Sequence, residues 1–111
     1  MRLSKQQMAQ HIANLAAAHD IRVTLQRSSR NAWAIREGDG AADEIIIPPV
    51  RSEITYTVAL HEIGHILGRY QRSRYRMIRE RWAWQWAREN ALTWTPRIEH
   101  FAAIRWLKPE T

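Results

Sequence analysis

Cysteine is absent from all 111 residues of the sequence. Its absence excludes a disulfide framework and thiolate ligands, so any metal site in this chain must be built from histidine and carboxylate side chains. A chain of this length can bury one hydrophobic core without disulfides but is short for two. We therefore expect a single domain over residues 1–111.

Long apolar runs are also missing. The N-terminal residues MRLSKQQM lack the apolar core of a signal peptide, and no stretch approaches the roughly 20 apolar residues that a transmembrane helix needs. Acidic residues are a minority, with 11 against 17 basic ones and a formal net charge of +6. The sequence favours a soluble protein of the cytoplasm.

Lysine is scarce, because the basic residues are 15 arginines and two lysines. Six arginines fall within a stretch of thirteen residues: Arg69, Arg72, Arg74, Arg76, Arg79 and Arg81. A cluster of this kind binds nucleic acid in some proteins, binds an acidic partner protein in others, and is simply a solvated face in many. The sequence leaves these three alternatives open.

The first third of the chain predicts a helix followed by strands. Apolar residues at three- and four-residue steps indicate a helix from about Ser4 to His19, with Ser4 as N-cap and Gln7 as its capping-box partner. The two histidines of this helix, His11 and His19, have no neighbour at ligand spacing. We expect both to lie on the surface.

Three strands are predicted next, at residues 21–27, 32–36 and 44–47. Period-two alternation marks the first, and Pro48-Pro49 ends the third. The turn residues Ser28 to Asn31 between the first two strands favour a hairpin. We therefore expect a short antiparallel three-stranded sheet and an α+β fold.

The densest group of metal-type ligands is the stretch His61-Glu62-Ile63-Gly64-His65, which reads H-E-x-x-H. On a helix, the two histidines lie one turn apart on the same face and can aim at one ion. Ser52 is a suitable N-cap and Gly68 a suitable C-cap for a helix over this region. The helix is thus predicted without reference to the motif.

Zinc hydrolases use this arrangement for a physical reason. Catalytic zinc takes three protein ligands and leaves a fourth position for water, whose pKa falls to about 7. A neighbouring carboxylate can then act as general base at neutral pH. Glu62 fits this role beside the ligands His61 and His65.

The next predicted helix, at residues 77–92, supplies a third ligand. Glu80 shares a face with Trp84 and Ala87, and a carboxylate on an apolar face needs a compensating partner such as a metal ion. Glu89 lies about 180° round the helix from Glu80, so it cannot face the same way. The alternative is that Glu80 pairs with one of its arginine neighbours. A last helix is expected from Pro96 to about Leu107.

These residues together resemble the ImmA/IrrE-type zinc metallopeptidases. In that family an H-E-x-G-H helix is followed by a helix with a glutamate ligand a few residues before an F-A-like pair, here Trp86-Ala87, and a proline beyond it, here Pro96. The resemblance covers roughly residues 45–96. It rests chiefly on H-E-x-G-H and the glutamate.

The resemblance implies a minimal zincin-like metallopeptidase of the gluzincin type. Zinc (Zn2+) would be bound by His61, His65 and Glu80, with Glu62 as catalytic base. The substrate backbone would add to an edge strand by β-augmentation, here the residues Glu44, Ile45, Ile46 and Ile47. Many relatives belong to phages and mobile elements and cleave a transcriptional regulator of the repressor type, so a protein substrate is expected, with no membrane partner.

Two questions stay open at this stage. A second donor to the oxyanion could come from Tyr56, Tyr70, Tyr75 or His100, and the sequence does not choose among them. The function itself has two alternatives to proteolysis. The chain could be a basic nucleic-acid- or protein-binding module with a structural or degenerate zinc site, or an interaction subunit whose two histidines are ordinary helix residues.

Overall fold

The architecture of the chain was taken from a computed structural model, which describes residues 3–26, 33–35 and 43–106. One helix is followed by three strands and then by three helices. The bounds are α1 (Lys5–Ala18), β1 (Ile21–Leu25), β2 (Trp33–Ile35), β3 (Asp43–Ile47), α2 (Glu53–Leu67), α3 (Arg76–Asn90) and α4 (Pro96–Trp106). This order confirms the predicted α+β fold.

Helix α1 begins where the sequence predicts. The Ser4 side chain accepts the backbone N–H of Gln7, and the Gln7 side chain accepts the backbone N–H of Ser4. Each of these bonds satisfies a donor that the first helical turn leaves free. The inward face of the helix buries Met8, Ile12 and Ala16 in the core.

The sheet differs from the prediction. Its strand order is β1-β3-β2, with β1 and β3 parallel and β2 and β3 antiparallel. The predicted antiparallel sheet, with a β1–β2 hairpin, is therefore wrong, because β3 lies between those two strands. The turn residues 28–31, on which the hairpin was based, lie outside the described residues.

The central place of β3 has a simple physical basis. Ile45 and Ile47 are fully buried, and a strand with apolar residues on both faces, such as the run Ile45-Ile46-Ile47, is typical of the interior of a sheet. β3 is therefore not an edge strand. The prediction that substrate pairs with an edge formed by Glu44, Ile45, Ile46 and Ile47 is wrong. Among the described strands, the edges of the sheet are β1 and β2.

Helix α2 carries the H-E-x-x-H residues across the sheet. Its N-cap is Ser52, whose hydroxyl accepts the N–H of Thr55, and its C-cap is Gly68, as predicted. The helix packs against β3 and β2, while α1 packs against β1. Its core side is fully buried and includes Tyr56, Leu60 and Ile63.

Two glycines let α3 approach α2 closely. A Cβ atom on Gly64 would lie 2.4 Å from the carbonyl oxygen of Ala83 in α3, and one on Gly68 would lie 3.0 Å from that of Trp82. Real Cβ atoms do not approach oxygen at the first of these distances. Gly64 is therefore required by close backbone packing against α3.

Helix α4 closes the fold. The Thr95 hydroxyl accepts the N–H of Ile98, and Pro96 is the first helical residue, where its missing N–H costs nothing. Ile98 is fully buried. Within the described ranges, no helix combines the length and apolar character needed to cross a bilayer.

Candidate metal centre

Helices α2 and α3 bring the three predicted ligands together. One ligand atom from each of His61, His65 and Glu80 lies within 4.8 Å of the others. Glu80 Oε2 is 3.5 Å from His61 Nε2 and directly contacts His65 Nε2. Glu80 thus faces the two histidines rather than pairing with an arginine, and Glu89 is exposed on another side of α3.

Glu62 lies next to the three ligands without being one of them. Its carboxylate Oε2 is 3.2 Å from Nδ1 of His61, and its side chain is only 8% exposed. An acceptor at Nδ1 favours the imidazole tautomer that carries its proton there, which leaves the lone pair of Nε2 directed at Glu80. Glu62 therefore orients one of the three ligands, from the side of the imidazole away from Glu80.

Gln71, in the connection between α2 and α3, does the same for His65. Its Oε1 is 2.9 Å from His65 Nδ1, while its Nε2 donates to the backbone carbonyls of Arg69 and Arg79. Because both carbonyls are acceptors, the amide group can be oriented only with its oxygen toward the histidine. His65 must then donate from Nδ1, so Nε2 presents its lone pair to Glu80.

This hydrogen bonding places acceptors face to face. The Nε2 lone pairs of two neutral imidazoles point at a carboxylate oxygen, and Nε2 of His61 is buried with no hydrogen-bond partner among the described residues. Such a group is stable only with a proton or a cation between its members. Two imidazole nitrogens and one carboxylate oxygen are a donor set that suits zinc.

The charges in this cluster shift two pKa values. Burial lowers the pKa of the His61 imidazole, but Glu62 and Glu80 outweigh burial and the net result is a raised pKa. Burial raises the pKa of the Glu80 carboxyl, but its contacts with the imidazoles of His61 and His65 hold it well below its usual range. Glu80 is therefore a carboxylate at neutral pH and can act as a ligand.

An aromatic ring packs against one ligand. The ring of Trp84 stacks on His61 at a centroid distance of 4.1 Å and an interplanar angle of 12°, and Trp84 is buried. The sequence assigned Trp84 to the core without linking it to the site. The stacking fixes the plane of the His61 imidazole and excludes water from one side of it.

The prediction that Tyr56 could donate to the oxyanion is wrong. It is fully buried, its hydroxyl lies 2.6 Å from Nδ1 of His11, and it accepts the backbone N–H of Leu92 at 3.0 Å. This network joins α1, α2 and the connection after α3. It also corrects the prediction for His11, which is half-buried in the network, whereas His19 is exposed as expected.

The other three oxyanion candidates are on the surface. Tyr70 is 60% exposed and Tyr75 55% exposed, and His100 is exposed on α4. Tyr70 packs edge-on against Trp82, and Tyr75 lies against the guanidinium of Arg74. Their role at the site stays a prediction.

The six clustered arginines have two different environments. Arg79 is half-buried and donates to the carbonyl oxygen of Ser73 at 2.6 Å, which holds the connection against α3. The other five are exposed: Arg69, Arg72, Arg74, Arg76 and Arg81. Among the residues that the structure describes, none of the six is in an ion pair with a carboxylate.

Comparisons with protein-family models, with curated proteins and with solved structures found no match to this chain. The site is therefore interpreted from its own geometry and chemistry.

Proposed function

We propose that this protein is a zinc-dependent metallopeptidase that hydrolyses peptide bonds of an intracellular protein. The observation that carries the proposal is the convergence of His61, His65 and Glu80 on one space, with the Glu62 carboxylate against Nδ1 of His61. Three ligands and an adjacent carboxylate are the protein groups that a catalytic zinc site requires. Glu80 keeps 30% of its side chain exposed, so water and substrate can reach the ligands.

In this proposal His61, His65 and Glu80 hold the ion. When bound, zinc supplies Lewis acidity that activates water and polarises a peptide carbonyl. For proteolysis the Glu62 carboxylate would turn from Nδ1 of His61 to the attacking water, take its proton and pass it to the leaving amide nitrogen, so the carboxylate is regenerated when the peptide is cleaved. Trp84 and Gln71 keep the imidazoles in the orientation that this requires.

The substrate chain would add to the outer side of β2. Of the two edge strands, β2 packs against α2, which carries the histidines, whereas β1 packs against α1. An extended peptide beside β2 would gain backbone hydrogen bonds and lie next to the site-bearing helix. The family resemblance favours a transcriptional regulator of a phage or mobile element as the substrate.

Metal content and cleavage of the same preparations test the proposal. Purified protein loaded with zinc is incubated with a proteome-derived peptide library, and new amino termini are identified by mass spectrometry. We expect one zinc per chain and cleavage by the native protein. Glu62→Gln should retain zinc, because the amide oxygen can still accept from His61 Nδ1, but should lose cleavage by a factor of at least about 100.

The variant His61→Ala completes the test. It removes a ligand and should lose both zinc and cleavage. Full activity of Glu62→Gln would contradict the mechanism. Zinc binding that survives in both variants without cleavage by any preparation would point instead to a structural or degenerate zinc site.

A further inference from the structure

The connection between α2 and α3 has an outer surface that the proposed metal site does not use. The exposed side chains of this connection and of the first residue of α3 are four arginines and two tyrosines, and we call them the 69–76 surface: Arg69, Tyr70, Arg72, Arg74, Tyr75 and Arg76. The two remaining side chains of this segment, Gln71 and Ser73, are half-buried. Four positive charges thus lie within eight consecutive residues that include no acidic one.

The 69–76 surface is held in place by the bonds described above. The Gln71 side chain bridges the backbones of Arg69 and Arg79, and the Arg79 guanidinium donates to the Ser73 carbonyl. Two ring contacts add to this, since Tyr70 and the Arg69 guanidinium both lie against Trp82. The charges are therefore presented by an anchored backbone.

The backbone of Tyr70 is an independent sign of a specific role. Its φ angle is +59°, a left-handed conformation that is unfavourable for a residue with a side chain. The conformation leaves the ring 60% exposed. Burial of the ring in the core therefore does not offset the unfavourable backbone conformation of Tyr70.

From these features we propose that the 69–76 surface binds single-stranded nucleic acid without strong sequence preference. Arginine guanidinium groups match phosphate oxygens in charge and geometry. Exposed tyrosine rings can stack on unpaired bases, which every base permits. An acidic peptide would satisfy the arginines but gives the rings nothing to stack on, and duplex nucleic acid keeps its bases paired.

The test is fluorescence anisotropy of a labelled oligothymidylate of about 20 nucleotides with the full-length protein. A chelator is present, so the result does not depend on the proposed metal site. We expect binding at low salt that weakens with a slope of log affinity against log salt of roughly −3, for four phosphates at about −0.7 each. Absence of binding at low salt would overturn the proposal.

Matched variants locate the interaction. Arg72→Ala with Arg74→Ala should weaken binding and make the slope less steep by about 1.4. Arg51→Ala with Arg97→Ala removes the same net charge from exposed positions elsewhere and should leave binding within about twofold of the native protein. An equal loss in both pairs would mean attraction by net charge alone and would overturn the assignment to this surface.

The rings are tested separately. Tyr70→Leu with Tyr75→Leu should lower affinity roughly tenfold or more at every salt concentration with an unchanged slope, whereas Tyr70→Phe with Tyr75→Phe should retain binding. Circular dichroism and thermal melting check that each variant is folded. Polyglutamate and duplex of the same length serve as competitors. Competition by polyglutamate as effective per charge as the oligonucleotide would overturn the proposal in favour of an acidic protein partner.

Discussion

At the scale of single residues, the metal centre depends on the atoms that bind the far side of each imidazole. Glu62 accepts at Nδ1 of His61 and Gln71 accepts at Nδ1 of His65. Both imidazoles therefore present Nε2 to Glu80. His61, His65, Glu62 and Glu80 were predicted from the sequence, because the spacing of residues on a helix fixes which of them share a face. The role of Gln71 could not be predicted from the sequence, since its position depends on how an irregular segment folds back on α3.

A first prediction concerns Gln71. Gln71→Met removes the acceptor at His65 Nδ1 and frees the imidazole to change tautomer, so zinc affinity should fall roughly 10- to 100-fold. Gln85→Met, which changes a glutamine on α3 whose side chain donates to Glu89, is the control. The measurement is zinc titration against a competing chelator, and native-like affinity of Gln71→Met would contradict the role.

A second prediction concerns His11. Burial lowers the pKa of His11 below its ordinary 6.5, so the unfolded chain binds a proton there more readily than the folded chain. The contribution of His11 to stability is therefore present above pH 6.5 and is lost as pH falls from 6.5 toward the folded pKa. The stability difference between the native protein and His11→Gln should shrink between pH 7 and pH 5.

Urea unfolding of metal-free protein measures this effect. His19→Gln, which changes an exposed histidine of the same helix, should follow the pH dependence of the native protein. A difference between the native protein and His11→Gln that is constant with pH would show that His11 binds protons equally in both states. The network was not predicted, because the contact between His11 and Tyr56 joins residues 45 positions apart.

At the scale of elements, the site depends on how closely two helices approach. His61 and His65 are on α2 and Glu80 is on α3, and Gly64 allows the backbones to meet at Ala83. Close packing therefore sets the distance between the ligands. The helices and their caps were predictable, since capping residues and apolar spacing are local signals.

Gly64→Ala separates packing from helix propensity. Alanine is intrinsically better in a helix by about 1 kcal/mol, but its Cβ would overlap the Ala83 carbonyl oxygen. We expect a net loss of about 1–3 kcal/mol in the free energy of unfolding, together with weaker zinc binding because α3 carries Glu80. Urea unfolding and zinc titration check both effects. A variant as stable as the native protein would show that α3 can shift at no cost.

The sheet was predicted less well than the helices, for a physical reason. Alternation of apolar and polar residues locates a strand but does not state its neighbours. The turn-like residues 28–31 favoured a local hairpin, whereas the structure places β3 between β1 and β2. The apolar run Ile45-Ile46-Ile47 is the one signal that could have indicated a central strand.

At the scale of the whole molecule, a metal ion would join α2 to α3, and the folded state alone would bring its ligands together. Zinc should then stabilise the folded protein by about 2.7 kcal/mol at a free concentration 100 times its dissociation constant. For a chain of this size we expect a rise in Tm of roughly 10 °C. Glu80→Gln should show a much smaller rise at the same zinc concentration. Equal shifts in both proteins would mean that zinc binds elsewhere.

The net charge of +6 is also a property of the whole molecule. Composition alone does not tell where on the surface the positive charges lie. The structure places three of the arginines on one anchored connection and a fourth at the start of α3, and it turns Glu80, the acidic residue nearest to them in sequence, toward the histidines. The same segment therefore contributes Gln71 to the metal centre and, on its outer side, a basic surface whose arginines form no ion pair with a carboxylate in the part of the chain that the structure describes. The sequence shows the arginine cluster, but it does not show that Gln71 of the same segment faces the histidines while the arginines face outward.

The central claim is that His61, His65 and Glu80 bind one zinc ion. An anomalous difference map from crystals of the zinc-loaded protein, recorded on both sides of the zinc absorption edge, tests it most directly. We expect one strong peak per chain, about 2.0–2.2 Å from Nε2 of His61, Nε2 of His65 and a carboxylate oxygen of Glu80. A peak that lacks Glu80 among its neighbours, or no peak between α2 and α3, would contradict the claim.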